Sequence, residues 1–300
     1  MALTSRHGWF GSRFSADQMA STDLNRIARD VVEIRPRRGA FDLELHAVWK
    51  YRELLYHLVW RELKVRYKQA ALGAAWAILQ PLVAVAIFTL IFGRFARFPS
   101  DGAPYAVFVF AAILPWTYFA EAMRRSSVGL VTEADLVRKI YFPRLIIPLA
   151  GVIAPMVDFL IGLAVLLAML AWYGIWPTWH IVFLPVTLLG AMLLALSIGL
   201  WLGPINVRFR DVMHTLPFVT QIWMYASPIV YPLSLIPEEW RAVYGLNPMV
   251  GIIESFRWAI LGKAEPDFTA LGVSFAVALC VLAGGLVFFR RAERSFADVI

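Results

Sequence analysis

Blocks of about 17–25 nearly uncharged apolar residues recur along this chain, and that is the length a helix needs to cross the hydrocarbon core of a bilayer. They run from about Ala74 to Phe92, Tyr105 to Ala122, Leu145 to Tyr173, Ile181 to Leu202, Val212 to Val230 and Ala270 to Phe289. Composition agrees: 60% of the 300 residues are hydrophobic and only 16% charged, against about 25% charged in soluble domains. The chain is therefore expected to be an all-α polytopic membrane protein with about six transmembrane helices.

The flanks of the blocks set the expected topology. Residues 1–44 are polar and Arg-rich without the apolar stretch of a secretory signal, which predicts a cytosolic segment. Over residues 45–70, Tyr51, Leu54, Leu55, Leu58, Val59 and Val65 favour one side of a helix. Glu53, His57, Arg61, Lys64 and Lys68 recur at helical spacing, so an amphipathic helix lying in the interface is predicted. Residues 71–300 form the six-helix membrane domain. Between Tyr231 and Asp267 the run Met249–Leu261 is too short and too charged to span. Asn247-Pro248 ahead of it reads as a helix cap and first-turn proline, which predicts short helices in the outer leaflet before the last span. With both termini inside, fourteen Lys and Arg flank the spans on the cytosolic side and five on the outer side, so the positive-inside rule places both termini in the cytoplasm. The net charge of +7 follows this flanking pattern and gives no sign of a nucleic-acid interface.

Chemistry is sparse. No phosphate-cradling G-x-x-x-x-G-K-[ST] is present; Gly262-Lys263 is followed by Ala264 and lacks the upstream glycine. Five scattered histidines show no metal-ligand spacing, and Cys280 has no intrachain partner. The sequence thus assigns no catalytic, cofactor or metal site. Asp158 is the one acid deep inside an expected span; it is either an ion relay or a buried hydrogen-bonding residue between helices. Aromatics gather near helix ends as interface belts. Trp116, Trp223 and Tyr225 are candidates for a conduit wall where flat rings stack on sugar faces. Pro81, Pro115, Pro155, Pro204, Pro217 and Pro228 are expected to bend their helices.

The stretches WRELKVRYKQAALGAAWAILQPL (60–82), LPWTYF (114–119), LVRKIYFPRLIIPL (136–149), INVRFRDV (205–212), LPFVTQIWMYASPIVYP (216–232) and Asn247-Pro248-Met249 with Phe256-Arg257-Trp258 resemble the membrane subunits of type-2 ABC exporters for O-antigen, capsule and teichoic-acid polysaccharides. The sequence departs from that family's habit at Ala70, at Glu133 or Ala134, and at Gly203-Pro204. The resemblance implies a homodimer in the bacterial inner membrane, bound to a separate cytosolic ATPase that holds ATP and Mg2+, exporting a lipid-linked glycan. It also implies that Glu133, Asp135, Leu136, Arg138 and Lys139 form a coupling helix that docks on the ATPase. Arg61, Lys64, Arg66 and Lys68 stand where a lipid diphosphate head group or an anionic phospholipid meets the inner surface. Competing readings are a type-2 ABC exporter of a small lipid or drug, and an ion-coupled carrier built on Asp158.

Because the sequence carries no phosphate loop, the purified chain alone is expected to release no phosphate from ATP above a protein-free control. Turnover by the isolated chain would overturn the reading.

Overall fold

The 28-residue helix α4 (Tyr105–Thr132) is the axis around which the other elements are arranged. In the computed structural model, residues 45–68, 75–262, 268–293 and 296 are described; the expected cytosolic segment 1–44 lies outside them. Among the described residues the order begins with α1 (Leu45–Lys50) and α2 (Arg52–Lys68), then α3 (Ala75–Phe88), which continues as a π-helical stretch over Thr89–Phe95. After α4 come α5 (Ala134–Lys139), α6 (Ile146–Ile153) and α7 (Met156–Trp172). A 3₁₀ turn, Trp179–Phe183, leads into α8 (Leu184–Arg208), and α9 (Val212–Tyr225), α10 (Glu238–Gly245), α11 (Pro248–Leu261) and α12 (Phe268–Glu293) complete the order.

Five of these stretches are long and apolar enough to cross a membrane: Ala75–Phe95, Tyr105–Thr132, Ile146–Trp172, Trp179–Arg208 and Phe268–Glu293. They coincide with five of the six expected blocks. The sixth block, Val212–Val230, forms a continuous helix only to Tyr225; fourteen residues rise about 21 Å, short of the roughly 30 Å core. Prolines account for two of the interruptions. Pro155 separates α6 from α7, and Pro228 lies just past the end of α9, each lacking the N–H that would continue the ladder. Pro81, Pro115, Pro204 and Pro217 are accommodated inside helices. The cap expected before Met249 is present: Asn247 Oδ1 accepts from the Met249 N–H at 3.1 Å and Pro248 occupies the first turn.

Burial ranks the helices. Within its most apolar window α4 is 78% buried, against 6% for the stretch that includes α3 and 17% for α12, so α4 is the core helix and those two lie outside it. Phe108, Phe110 and Phe119 from α4 meet Leu166 and Leu170 of α7, Leu194 of α8 and Phe256 of α11. A second apolar cluster joins Leu58 of α2 to Leu130, Ile147 and Phe289. Lipid tails are as apolar as leucine, so close backbone approach drives much of this packing. Gly199 of α8 lies so near Ser126 that a Cβ there would fall 1.9 Å from the hydroxyl oxygen. At Gly251 of α11 a Cβ would fall 2.4 Å from the Ala270 carbonyl oxygen of α12.

The Gly251 contact yields a stability prediction. Gly251→Ala is expected to cost about 1–3 kcal/mol by overpacking, lowering the thermal inactivation temperature in detergent. Gly272→Ala, with nothing within 4 Å of the added carbon, should leave it unchanged.

A charged seam and an aromatic cluster as the candidate functional site

Helix α2 turns Leu54, Leu55, Leu58 and Val59 toward the bundle and leaves Tyr56 and Trp60 exposed. Leu58, Glu62 and Arg66 follow one another at four-residue spacing, so the two charged residues share the face that begins with buried Leu58. Their partners come from α4, which continues as helix for ten residues past the expected end of its span at Ala122 and carries Arg124 and Arg125 with it. Arg61 pairs with Glu133 at the cap of α5, Glu62 with Arg125, and Arg66 with both Glu121 (2.9 Å) and Asp158. Glu121 also takes Arg124 (2.8 Å) and Arg125 (2.6 Å), and the Tyr67 hydroxyl donates to Asp158. Over this seam four arginines face four carboxylates, and from Glu121 to Glu133 it follows α4 for about 18 Å.

Asp158 is therefore not an isolated acid in mid-membrane. Tyr118 meets Phe159 edge to face and Gly162 lies against Leu114, which sets Asp158 level with the seam end of the apolar part of α4. A cavity of about 200 Å3 opens between α2, α4 and α6, lined by Arg61, Glu62, Arg124, Arg125 and Glu133 among others. Burial, helped by the neighbouring Glu133 and Glu121, pushes the Glu62 carboxyl up to about 7 against the opposing pull of Arg61 and Arg66.

The four cations expected to meet a lipid head group divide between two surroundings. Arg61 and Arg66 are engaged by carboxylates. Lys64 and Lys68 are exposed, Lys64 lies 5.6 Å over the Trp60 ring, and neither has a carboxylate partner among the described residues. The expected coupling segment is a short helix, α5, with Asp135, Arg138 and Lys139 exposed, Leu136 half-buried and Val137 buried beneath them. Ile140 and Tyr141, 53% and 57% exposed, extend its apolar surface.

Of the three aromatics expected to share a wall, two meet. Trp116 is buried in α4 with its ring centroid 6.2 Å from that of half-buried Trp223, which also contacts Phe119 at 5.2 Å. The Trp223 indole N–H donates to Asn247 Oδ1 at 2.8 Å. Tyr225 is exposed two residues further along α9. Sequence reasoning did not single out Glu62, Tyr67 or Glu121. The signal was available in the Leu58–Glu62–Arg66 stripe and in the i, i+3 and i, i+4 spacing of Glu121 with Arg124 and Arg125.

A multi-pass helical bundle with an amphipathic helix strapped to its central span, and a short exposed charged helix beside the strap, has the layout of a membrane-embedded transport subunit. The chain belongs to the ABC-2 type transporter family, which it matches over residues 53–261. It is 32% identical over 255 residues to the O-antigen export system permease protein RfbA of Myxococcus xanthus, covering 84% of this chain and 97% of that protein. It is 26% identical to a protein of the same name from Klebsiella pneumoniae (83% and 95% covered), and 28% identical to the polysialic acid transport protein KpsM of Escherichia coli (78% and 92% covered).

Glu62 gives the seam a pH dependence. A carboxyl raised in the folded state binds more protons than the unfolded chain above the ordinary value of 4.5, so its contribution to stability falls as pH climbs from there through about 7. Wild type is expected to lose thermal stability relative to Glu62→Gln progressively from about pH 4.5 to about pH 7 and to level off above that, read as the difference of their melting temperatures.

Proposed function

We propose that this chain is the membrane subunit of an ATP-driven exporter that moves a lipid-linked, O-antigen-like polysaccharide from the cytosolic to the outer side of the bacterial inner membrane. Two copies form the conduit, and a separate cytosolic ATPase, which binds ATP and Mg2+, supplies the power stroke. The observation that carries this reading is the near full-length similarity to permeases named for O-antigen export and polysialic acid transport.

The geometry supplies a route for each step. Helix α5 presents Asp135, Arg138 and Lys139 above buried Val137, a small charged knob of the kind that seats in a groove of a partner, with Ile140 and Tyr141 as its apolar rim. Its cap residue Glu133 pairs with Arg61, so displacement of α5 by a closing ATPase pulls on α2. The outward cations Lys64 and Lys68 meet the diphosphate head group first, at about 1 kcal/mol each. Arg61 and Arg66 become available to it when the seam opens. Trp223 and Tyr225 then offer flat faces to the sugars, while Trp116, buried behind Trp223, backs that wall. The seam end of α4 is the cytosolic end in this arrangement, in line with the concentration of Lys and Arg there.

Docking through α5 is tested by reversing its charge. In membranes holding the complex, Arg138→Glu with Lys139→Glu is expected to reduce co-purification of the ATPase by about tenfold while leaving the permease abundance unchanged. Intact binding together with intact ATP-dependent glycan export would remove α5 from the coupling role. Neutralising Lys64 and Lys68 to Gln is expected to weaken binding of the lipid-linked glycan by about thirtyfold, read as retention of labelled substrate on the detergent-solubilised complex. Unchanged retention would leave these lysines as anchors to bulk phospholipid.

A further inference from the structure

Helix α9 ends at Tyr225, and the chain from Ala226 to Tyr231 is irregular, yet Ser227, Pro228, Ile229 and Val230 are buried. Irregular backbone inside a membrane protein has no water to satisfy it and persists only where protein groups take over. Here each carbonyl from Tyr225 to Val230 has its partner. The Tyr231 hydroxyl donates to Tyr225 O (3.1 Å), Asn247 Nδ2 to Ala226 O (3.0 Å), and the Ile229 N–H to Ser227 O (2.8 Å). Arg257 Nη2 donates to Pro228 O (2.7 Å) and at longer range to Ile229 O (3.5 Å), and the Tyr105 hydroxyl donates to Val230 O (2.6 Å).

Arg257 is the one charged donor in this set, and it is 5% exposed. Its Nη1 reaches Glu254 at 2.6 Å and its guanidinium carbon lies 3.8 Å over the Phe108 ring of α4; Nε is buried without a hydrogen-bond partner among the described residues. A neutral amide would tie a single carbonyl at a smaller desolvation cost. Only the planar fork of arginine holds a carboxylate, two carbonyls and an aromatic face together. The segment it holds borders a cavity of about 540 Å3 lined by Trp223, Ala226, Trp240, Tyr244 and Asn247 among others. Asn247 links the two, since it grips Ala226 O and accepts from the Trp223 indole. Phe108 stands seventeen residues before Arg125 on α4, about 26 Å away, so this cluster lies at the opposite end of the bundle from the charged seam.

We propose that Arg257 is a positioning residue for export: its guanidinium fixes the break after α9, and the break holds Trp223 and Asn247 as the wall of the cavity at this mouth of the bundle. The role differs from the motor contacts above and is read separately from them. In vesicles containing the complex with its ATPase, Arg257→Lys keeps the charge beside Glu254 but cannot bridge both carbonyls and the ring. Glycan exported per ATP hydrolysed should fall about tenfold or more, with abundance and ATP hydrolysis within about twofold of wild type. Wild-type export per ATP, or export and abundance falling in parallel, would overturn the proposal. A second readout needs no motor. In a Cys280→Ser background, Ser227→Cys replaces a side chain that is 1% exposed and should resist a membrane-impermeant maleimide. Adding Arg257→Lys should raise its labelling rate about tenfold, and an unchanged rate counts against the proposal. A wild-type complex that exports nothing with ATP would refute the exporter reading, while thiol labelling would still decide the role of Arg257.

Discussion

Inside a bilayer no solvent stands ready to meet a stray carbonyl or a lone charge, and the arrangement around α4 follows from that constraint. The helix is the most deeply buried of the five long apolar stretches, and polar clusters attach to it toward both ends. Near its start, the broken continuation of α9 has its carbonyls met by Tyr105, Asn247 and Arg257. Near its finish, Glu121, Arg124 and Arg125 receive the charged face of α2. Between them the packing is aromatic and aliphatic, with Phe110, Trp116 and Phe119 facing neighbours through gaps that glycines such as Gly162 keep narrow.

The seam holds α2 through matched charges. Arg61, Arg66, Arg124 and Arg125 are matched by Glu62, Glu121, Glu133 and Asp158, so formal charge cancels over the contact. Partly buried pairs of this kind return little net stability, because desolvation offsets most of the Coulomb gain, but removing one partner leaves the other uncompensated. Glu62 is where the balance is least favourable, as its raised protonation equilibrium records. A contact with those energetics is specific in register and adds little net stability.

Sequence patterns were most informative where a single periodicity or spacing rule applies. Apolar block length located the starts of five spans within two residues, although α4 and α8 run well past their expected ends, and the Asn247-Pro248 pair marked the start of α11. The i, i+4 rule carried the amphipathic helix through Lys68, although Val65, placed with the apolar side, is 57% exposed. The expectation for Val212–Val230 failed in part because hydropathy averages over a window and is blind to Pro228, which ends the ladder while its neighbours stay apolar and buried. The group of four cations on α2 was split because 100° per residue turns Arg66 toward Glu121 and Asp158, and because Arg61, on the side of Lys64 and Lys68, lies within reach of Glu133.

What the sequence by itself determined is the class of molecule, helical and multi-pass, with the positions of its greasy stretches and caps. These are local properties, set by hydrophobic length, by proline and by the spacing of side chains along one helix. Only the tertiary structure decided which charges neutralise one another, that Asp158 answers Arg66 and Tyr67, and that Arg257 reaches back to carbonyls nearly thirty residues earlier. Those pairings join elements far apart in the chain, and their energies depend on distance and burial in three dimensions, which no window on the sequence contains.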